Sequence, residues 1–142
     1  MDTTTHRRRL DPSAVRCLGG STARLGALGE QLAARHLVVD DHLTILARNW
    51  RLSVGELRGE LDLIAVDEAA GSLVVCEVKT RRDAERFGGA VAAVSPRKQA
   101  KIRALTAAFL RSGDGPFRRV RIDLIAIDLG RLPTLTHLQG AM

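Results

Sequence analysis

Two carboxylates and a lysine lie within apolar segments of the sequence, where charged side chains are costly unless they are paired. Asp62 lies in the segment GELDLIAVD, and Glu77 and Lys79 lie in the segment SLVVCEVKT. A strand has a period of two residues, so Glu77 and Lys79 share one face. Antiparallel pairing of the two segments would bring Asp62 beside Glu77. Neighbouring carboxylates repel unless they share a proton or a divalent cation.

This combination of side chains is suited to metal-dependent hydrolysis of a phosphodiester. Carboxylates are hard oxygen ligands that leave coordination positions on Mg²⁺ for water and phosphate. Lys79 can position the attacking water or help to deprotonate it. The pattern D-x(n)-E-x-K resembles the metal site of the PD-(D/E)XK nucleases. An E-x-K pattern also occurs as an ordinary ion pair on a wet strand, so the pattern alone leaves both interpretations open.

The charge of the chain favours a polyanionic partner. Its 22 Lys and Arg against 16 Asp and Glu give a net charge of +6, and nucleic acid is the commonest such partner in a cell. A solvated basic face that keeps the protein soluble is the alternative. Three Phe, one Trp and no Tyr are too few for a base-stacking platform, so we expect contacts to phosphates. The candidate nucleic-acid-binding residues are Arg81, Arg82, Arg97, Lys98 and Lys101.

Hydrophobic periodicity and turn residues predict a single α/β domain with the element order α-β-β-β-α-β. We expect a small mixed central sheet flanked by helices. The predicted helices span residues 21–41 and 95–111, and the predicted strands span residues 43–52, 59–67, 72–80 and 118–128. Residues 1–20 are predicted to be a flexible basic tail, residues 21–130 the domain, and residues 131–142 a short C-terminal tail.

Several classes of protein are disfavoured by the sequence. No apolar run approaches the roughly 20 residues of a transmembrane helix, and no apolar region follows the N-terminal arginines, so we expect a cytoplasmic protein without a membrane partner. Cys17 and Cys76 are too few for a disulfide framework, and Cys76 is expected to pack in the core. The four histidines show no ligand spacing, so they are assigned no role.

The segments GALGEQLAARHL, ILARNWR, GELDLIAVD, LVVCEVKTR, RFGGAV, SPRKQAKI and RIDLIAID resemble, in order and spacing, the YraN family of small bacterial proteins. The resemblance covers about residues 22–128. That family is assigned to the PD-(D/E)XK endonuclease-like superfamily and is similar to archaeal Holliday junction resolvases, which implies a restriction-endonuclease-like fold. The family's charged positions correspond here to Glu30, Asp62, Glu77, Lys79 and Lys98.

Two departures from the family pattern concern the surroundings of the site. The family often has an aromatic residue at the position of Val75 or His36. The tripeptide GEL occurs twice, and only the second copy is followed by an aspartate, Asp62. The duplication leaves open the length of the turn before Asp62.

The residues and the resemblance together predict a nucleic-acid-binding protein that is an Mg²⁺-dependent endonuclease. Asp62 and Glu77 are predicted to hold Mg²⁺ or Mn²⁺, Lys79 to orient water, and Glu30 to act as a further ligand or base. DNA, including branched DNA, is favoured over RNA by analogy with resolvases. A homodimer is compatible with the sequence, which leaves the oligomeric state open.

Two alternatives come from other functional classes. One is a non-catalytic nucleic-acid-binding or scaffold protein with the same fold. The other is an interaction protein whose basic face meets acidic protein partners.

Overall fold

A computed structural model of the chain describes residues 4–15, 22–82, 94–113 and 117–142. These residues form one six-stranded sheet in the strand order β1-β6-β5-β4-β3-β2. The elements in chain order are β1 (Thr4–Arg9), α1 (Pro12–Val15), α2 (Thr22–Val39), β2 (Thr44–Val54), β3 (Leu57–Asp67), β4 (Ser72–Arg81), α3 (Pro96–Ser112), β5 (Arg119–Asp128) and β6 (Thr134–Gln139). The mixed α/β sheet is consistent with the small restriction-endonuclease-like fold predicted from the sequence.

Strand β4 is covered on both faces, which accounts for the unbroken run of buried residues in its first half. It pairs parallel with β5 and antiparallel with β3. Val74 and Cys76 belong to one apolar cluster with residues of α2, whereas Leu73 and Val75 belong to a second cluster with residues of α3. We refer to these sides as the α2 face and the α3 face of the sheet. Cys76 is fully buried, which confirms its predicted place in the core.

Helix α3 begins at a local sequence signal, and helix α2 packs on the sheet through a glycine. The Ser95 hydroxyl caps α3 by accepting a hydrogen bond from the Lys98 N–H at 3.2 Å, with Pro96 at the first helical position. Helix α2 lies very close to the end of β4 at Gly29, where any Cβ would overlap the Thr80 hydroxyl. This close approach fixes the height of the neighbouring Glu30 above the sheet.

The prediction that residues 1–20 and 131–142 are tails outside the domain is wrong, because each of these segments contributes a strand to the sheet. β1 pairs antiparallel with β6 from Thr4–Gln139 to Arg9–Thr134, and β6 pairs with β5. Strand β1 could not be predicted from hydrophobic alternation, because all six of its residues are exposed. Such a strand is tolerated at the edge of a sheet. β6 contributes only two buried side chains, Leu135 and His137.

The turn before Asp62 is short, since β2 ends at Val54 and Gly55 adopts a left-handed conformation at φ 58°. Strand β3 then begins at Leu57, two residues before the predicted start. Residues 83–93, which follow the end of β4 in sequence and carry the segment RFGGAV of the family resemblance, lie outside the described residues. In the part of the chain that the structure describes, no helix is both long and apolar enough to cross a membrane.

Candidate active site

Asp62 and Glu77 lie side by side where two neighbouring strands stop pairing regularly. The ladder between β3 and β4 runs from Asp67–Ser72 to Leu63–Cys76, and the next position along both strands is occupied by these carboxylates. There the Asp62 Oδ2 atom accepts a hydrogen bond of 2.9 Å from the Val78 N–H. Asp62 is 8% and Glu77 5% exposed. The antiparallel pairing expected from the sequence therefore places two buried carboxylates next to each other on neighbouring strands.

The two carboxylates are electrostatically coupled. Burial and, to a smaller extent, repulsion from Glu77 raise the pKa of Asp62 to about 8, and the hydrogen bond from the Val78 N–H offsets only part of that increase. At neutral pH the Asp62 carboxyl group is therefore largely protonated unless a cation joins it. A cation that binds both groups must displace this proton.

Two lysines flank Glu77 in unequal positions. Lys98 Nζ lies 2.7 Å from Glu77 Oε1, whereas Lys79 Nζ lies 4.0 Å from the same oxygen. Burial lowers the pKa of Lys98, but its hydrogen bond to Glu77 and the nearby negative charges raise it to a net value above the ordinary one. Burial and the proximity of Lys98 lower the pKa of Lys79. Lys98 is thus the closer ion-pair partner of Glu77, and Lys79 is the lysine better able to exchange a proton.

Further carboxylates approach Asp62 from α2 and from its own strand. Oxygen atoms of Glu30, Glu60 and Asp62 lie within 4.8 Å of one another. Burial raises the pKa of Glu30, and a hydrogen bond with Asn49 opposes that increase. Glu60 also binds the Arg51 Nε at 3.0 Å. Helix α2 therefore contributes a carboxylate to the site, as the family resemblance implied.

Asn49 is a site residue that the sequence analysis missed. It lies in β2 with φ 50°, a left-handed conformation that Asn tolerates better than most residues. Its side chain reaches Glu30 across the site. The only sequence signal was its position in the segment ILARNWR, which carried the family resemblance but no identifiable chemistry.

A cavity of about 200 Å³ opens over the carboxylates. Its lining includes Asp62, Glu77, Lys98 and Lys101, so two of the predicted nucleic-acid-binding residues are brought to the site. A wider concavity of about 500 Å³ shares Gly59 and Glu60 with it and is lined by two arginines. These are Arg51 and Arg58, which the sequence analysis did not select.

The three remaining basic candidates lie outside the cavity lining that the structure describes. Arg81 ends β4, Arg82 follows it, and Arg97 lies in the first turn of α3. All three are exposed. They extend the basic surface around the site, and their predicted contact with nucleic acid stays a prediction.

A second polar cluster lies on the α2 face of the sheet and involves residues to which the sequence analysis assigned no role. His36, at the end of α2, and His137, in β6, are buried and contact each other at 3.0 Å. Asp41 and Asp123 contact the same pair. The histidines are 101 positions apart, so no local spacing could reveal them.

Comparison with known proteins gives a consistent result. A family model described as "Uncharacterised protein family UPF0102" matches residues 29–127. A UPF0102 protein of Mycolicibacterium smegmatis is 46% identical over 120 residues, which cover 83% of this chain and 92% of that protein. A UPF0102 protein of Mycobacterium sp. strain JLS is 46% identical, over 83% of this chain and 84% of that protein. A UPF0102 protein of Mycobacterium avium is 44% identical, over 82% of this chain and 88% of that protein.

Proposed function

The chain belongs to the UPF0102 family, the YraN family of the sequence analysis, and we propose that it binds nucleic acid and hydrolyses phosphodiester bonds with Mg²⁺. The observation that carries this proposal is the pair of buried carboxylates, Asp62 and Glu77, with lysines on both sides under an open cavity. Stability alone gives no reason to bury two adjacent like charges, and perturbed carboxylates in a cleft are typical of functional sites.

The donor set fits a hard divalent cation. Asp62 and Glu77 would hold the ion, with Glu30 and Glu60 close enough to bind it through water. Mg²⁺ or Mn²⁺ would stabilise negative charge on the phosphate in the transition state. The raised pKa of Asp62 means that binding of the ion releases a proton, so affinity should increase with pH up to about 8.

The lysines have separate roles in this proposal. Lys79, whose pKa burial lowers, orients the attacking water and accepts or relays its proton. Lys98 neutralises Glu77 when no cation is bound. Once a cation satisfies Glu77, the Lys98 ammonium is released to contact a phosphate at the cavity mouth, with Lys101 beside it.

The proposed substrate is nucleic acid, with DNA favoured over RNA and branched DNA included by analogy with resolvases. The exposed Arg51 and Arg58 line the concavity that continues from the carboxylates, which provides a basic path for a phosphate backbone on one side of the site. A cytoplasmic location belongs to the same proposal, because the substrate is found there.

A cleavage assay tests the proposal. Duplex, branched and single-stranded DNA should be incubated with the protein in Mg²⁺, Mn²⁺ or EDTA, alongside Glu77→Gln and the matched control Glu68→Gln, whose glutamate is exposed in the turn between β3 and β4. We expect metal-dependent cleavage that is lost in Glu77→Gln and kept in Glu68→Gln. Cleavage that both variants retain would assign the activity to another site or to a contaminant.

A second candidate function is supported by one contact. The 2.7 Å ion pair between Lys98 and Glu77 neutralises a carboxylate without any metal, as expected of a binding protein that retained the fold and lost turnover. Under this alternative the protein binds DNA equally well in Mg²⁺ and EDTA and cleaves none of the three substrates.

A further inference from the structure

Three potential ligand atoms converge in the second polar cluster, on the opposite face of the sheet from Glu77. His36 Nε2 lies 3.0 Å from His137 Nδ1. Asp41 Oδ2 lies 3.2 Å from His137 Nδ1 and 3.6 Å from His36 Nε2. His137 is 0% exposed and His36 3%. The three atoms form a nearly equilateral triangle at the junction of α2, the residues that follow it, and β6.

The outer nitrogen of each imidazole is held by a carboxylate. His36 Nδ1 lies 2.8 Å from Asp40 Oδ2, and His137 Nε2 lies 2.7 Å from Asp123 Oδ2. An ionised carboxylate only accepts hydrogen bonds, so each ring donates from its outer nitrogen. A neutral ring then presents a lone pair at its inner nitrogen. Both inner lone pairs therefore point toward the same place.

Asp41 adds a third acceptor to the two nitrogens. Its Oδ2 atom is buried and has no hydrogen-bond donor among the described residues. A buried carboxylate oxygen without a donor is costly, and two imidazole lone pairs cannot satisfy it. The arrangement requires a positive charge at the centre of the triangle.

We propose that His36 Nε2, His137 Nδ1 and Asp41 Oδ2 bind one Zn²⁺ ion. A tetrahedral Zn²⁺ with bonds of about 2.0–2.1 Å has ligands separated by about 3.3–3.4 Å, and the observed edges of 3.0, 3.2 and 3.6 Å are centred on that value. Water or a small anion completes the coordination, since the Asp41 side chain is 20% exposed. Imidazole ligands select Zn²⁺ over Mg²⁺.

The surroundings of the triangle match those of known histidine–metal sites. A histidine ligand usually donates its other ring N–H to a carboxylate, which fixes the tautomer and raises the basicity of the ligand. Asp123 is itself fixed by Arg121, at 2.8 and 3.0 Å, and by the Gly140 N–H at 2.9 Å. Asp40 is fixed by Arg8 at 3.1 Å. Both carboxylates therefore remain ionised and oriented toward the rings.

The ion would connect distant parts of the chain. It would join the end of α2 and the residue pair that follows it to β6 near the C-terminus, and Arg8 brings β1 to the same cluster. Ligand binding to the folded state alone stabilises that state by mass action. The site is thus a structural clamp on the β1-β6 edge of the sheet, and it does not depend on the proposed nuclease function.

The test uses the full chain, freed of any polyhistidine tag. Metal content after dialysis is measured by mass spectrometry, and thermal unfolding is followed in EDTA, Zn²⁺ and Mg²⁺. We expect about one Zn²⁺ per chain and an increase in Tm with Zn²⁺ that Mg²⁺ does not reproduce. Co²⁺ substituted for Zn²⁺ should give the visible absorption of four-coordinate cobalt. A chain that retains no Zn²⁺ and has the same Tm in Zn²⁺ and EDTA overturns the proposal.

Variants separate a bound metal from a bound proton. Asp41→Asn keeps the shape of the ligand but removes its charge, so it should abolish the Zn²⁺ response and leave the metal-free Tm unchanged or higher. Asp40→Asn should weaken Zn²⁺ binding about 10–100-fold, and Glu68→Gln is the control that should change neither. If Asp41→Asn instead lowers the Tm in EDTA and wild type ignores Zn²⁺, the cluster is held by a proton and the proposal is wrong.

Discussion

Asp62 and Asp123 are both aspartates in central strands and both at most 8% exposed, yet their pKa values move in opposite directions. Burial and the neighbouring Glu77 raise the pKa of Asp62 to about 8, opposed by one hydrogen bond from Val78. Burial also acts to raise the pKa of Asp123, but hydrogen bonds from His137, Arg121 and Gly140 lower it below the ordinary value. The number of donors, and not burial, decides whether a buried carboxylate is ionised.

This difference is the basis on which we propose a catalytic role for the cluster around Asp62 and a structural role for the cluster around Asp123. In the cluster around Asp62 that carboxylate accepts one backbone hydrogen bond, from the Val78 N–H. The cluster opens into a cavity and its lysines are partly exposed, so an external cation and a phosphate can enter. The cluster around Asp123 is closed by its own arginine, its imidazoles and the backbone. Oxygen ligands on the α3 face suit Mg²⁺, and nitrogen ligands on the α2 face suit Zn²⁺.

The largest effect on stability is expected for Asp123→Asn. In EDTA at pH 7 it should lower the free energy of unfolding by about 3–5 kcal/mol, the usual effect of removing one partner from a buried ion pair. A group whose pKa is lowered by folding stabilises the protein above its unfolded pKa, so the deficit should shrink as the pH falls below about 4. Urea denaturation at several pH values measures this. If Asp123→Asn is as stable as wild type at pH 7, the inferred difference between Asp123 and Asp62 is wrong.

Asp62→Asn should have the opposite effect on the free energy of unfolding. Folding raises the pKa of Asp62, so its ionisation destabilises the metal-free protein progressively as the pH rises from about 4 to about 8. Removing the carboxylate should therefore stabilise the protein at pH 8 by at least about 1.4 kcal/mol, the equivalent of one pKa unit. Near pH 4 the variant and wild type should be equally stable in EDTA. Destabilisation at every pH would mean that Asp62 is an ordinary ion-pair partner.

The two lysines beside Glu77 should differ in their response to metal. Lys98→Ala removes the closer cation and should cost about 1 kcal/mol in EDTA, because the pair is partly exposed. Mg²⁺ should restore more stability to this variant than to wild type, since it replaces the missing charge. Lys79→Ala should leave the Mg²⁺ response close to that of wild type. Thermal unfolding of the three proteins with and without Mg²⁺ provides the comparison, and identical responses would contradict the assignment.

The smallest expected effect concerns phosphate contacts at the cavity. Binding to duplex DNA should weaken with salt, and Lys101→Ala should reduce the log-log slope by about 0.9, the contribution of one phosphate contact. Fluorescence anisotropy of labelled DNA at several salt concentrations measures both. Arg8→Ala, on the β1 edge, is the matched control and should leave the slope unchanged. A flat salt response of wild type would favour the interaction protein with acidic protein partners.

The sequence predicted those parts of the molecule that depend on local patterns. The period of β4 placed Glu77 and Lys79 on one face, and Ser95 with Pro96 marked the start of α3, because caps and alternation are properties of neighbouring residues. β1 could not be predicted, since an exposed edge strand forms only against its partner β6. Asn49 and the pair His36–His137 were missed for the same reason: their chemistry arises from contacts between distant segments.

The proposed role of Asp62 in catalysis is tested by a single-turnover cleavage assay of Asp62→Asn at pH 8 in Mg²⁺, on whichever DNA substrate the wild type cleaves best. Asp67→Asn, at the far end of the same strand, is the control. We expect Asp62→Asn to bind the DNA at least as tightly as wild type but to cleave it at least about 10² times more slowly, and we expect Asp67→Asn to cleave it at the wild-type rate. Wild-type cleavage rates in Asp62→Asn, or wild-type protein that binds all three DNA forms and cleaves none in Mg²⁺ or Mn²⁺, would contradict the proposed role of Asp62.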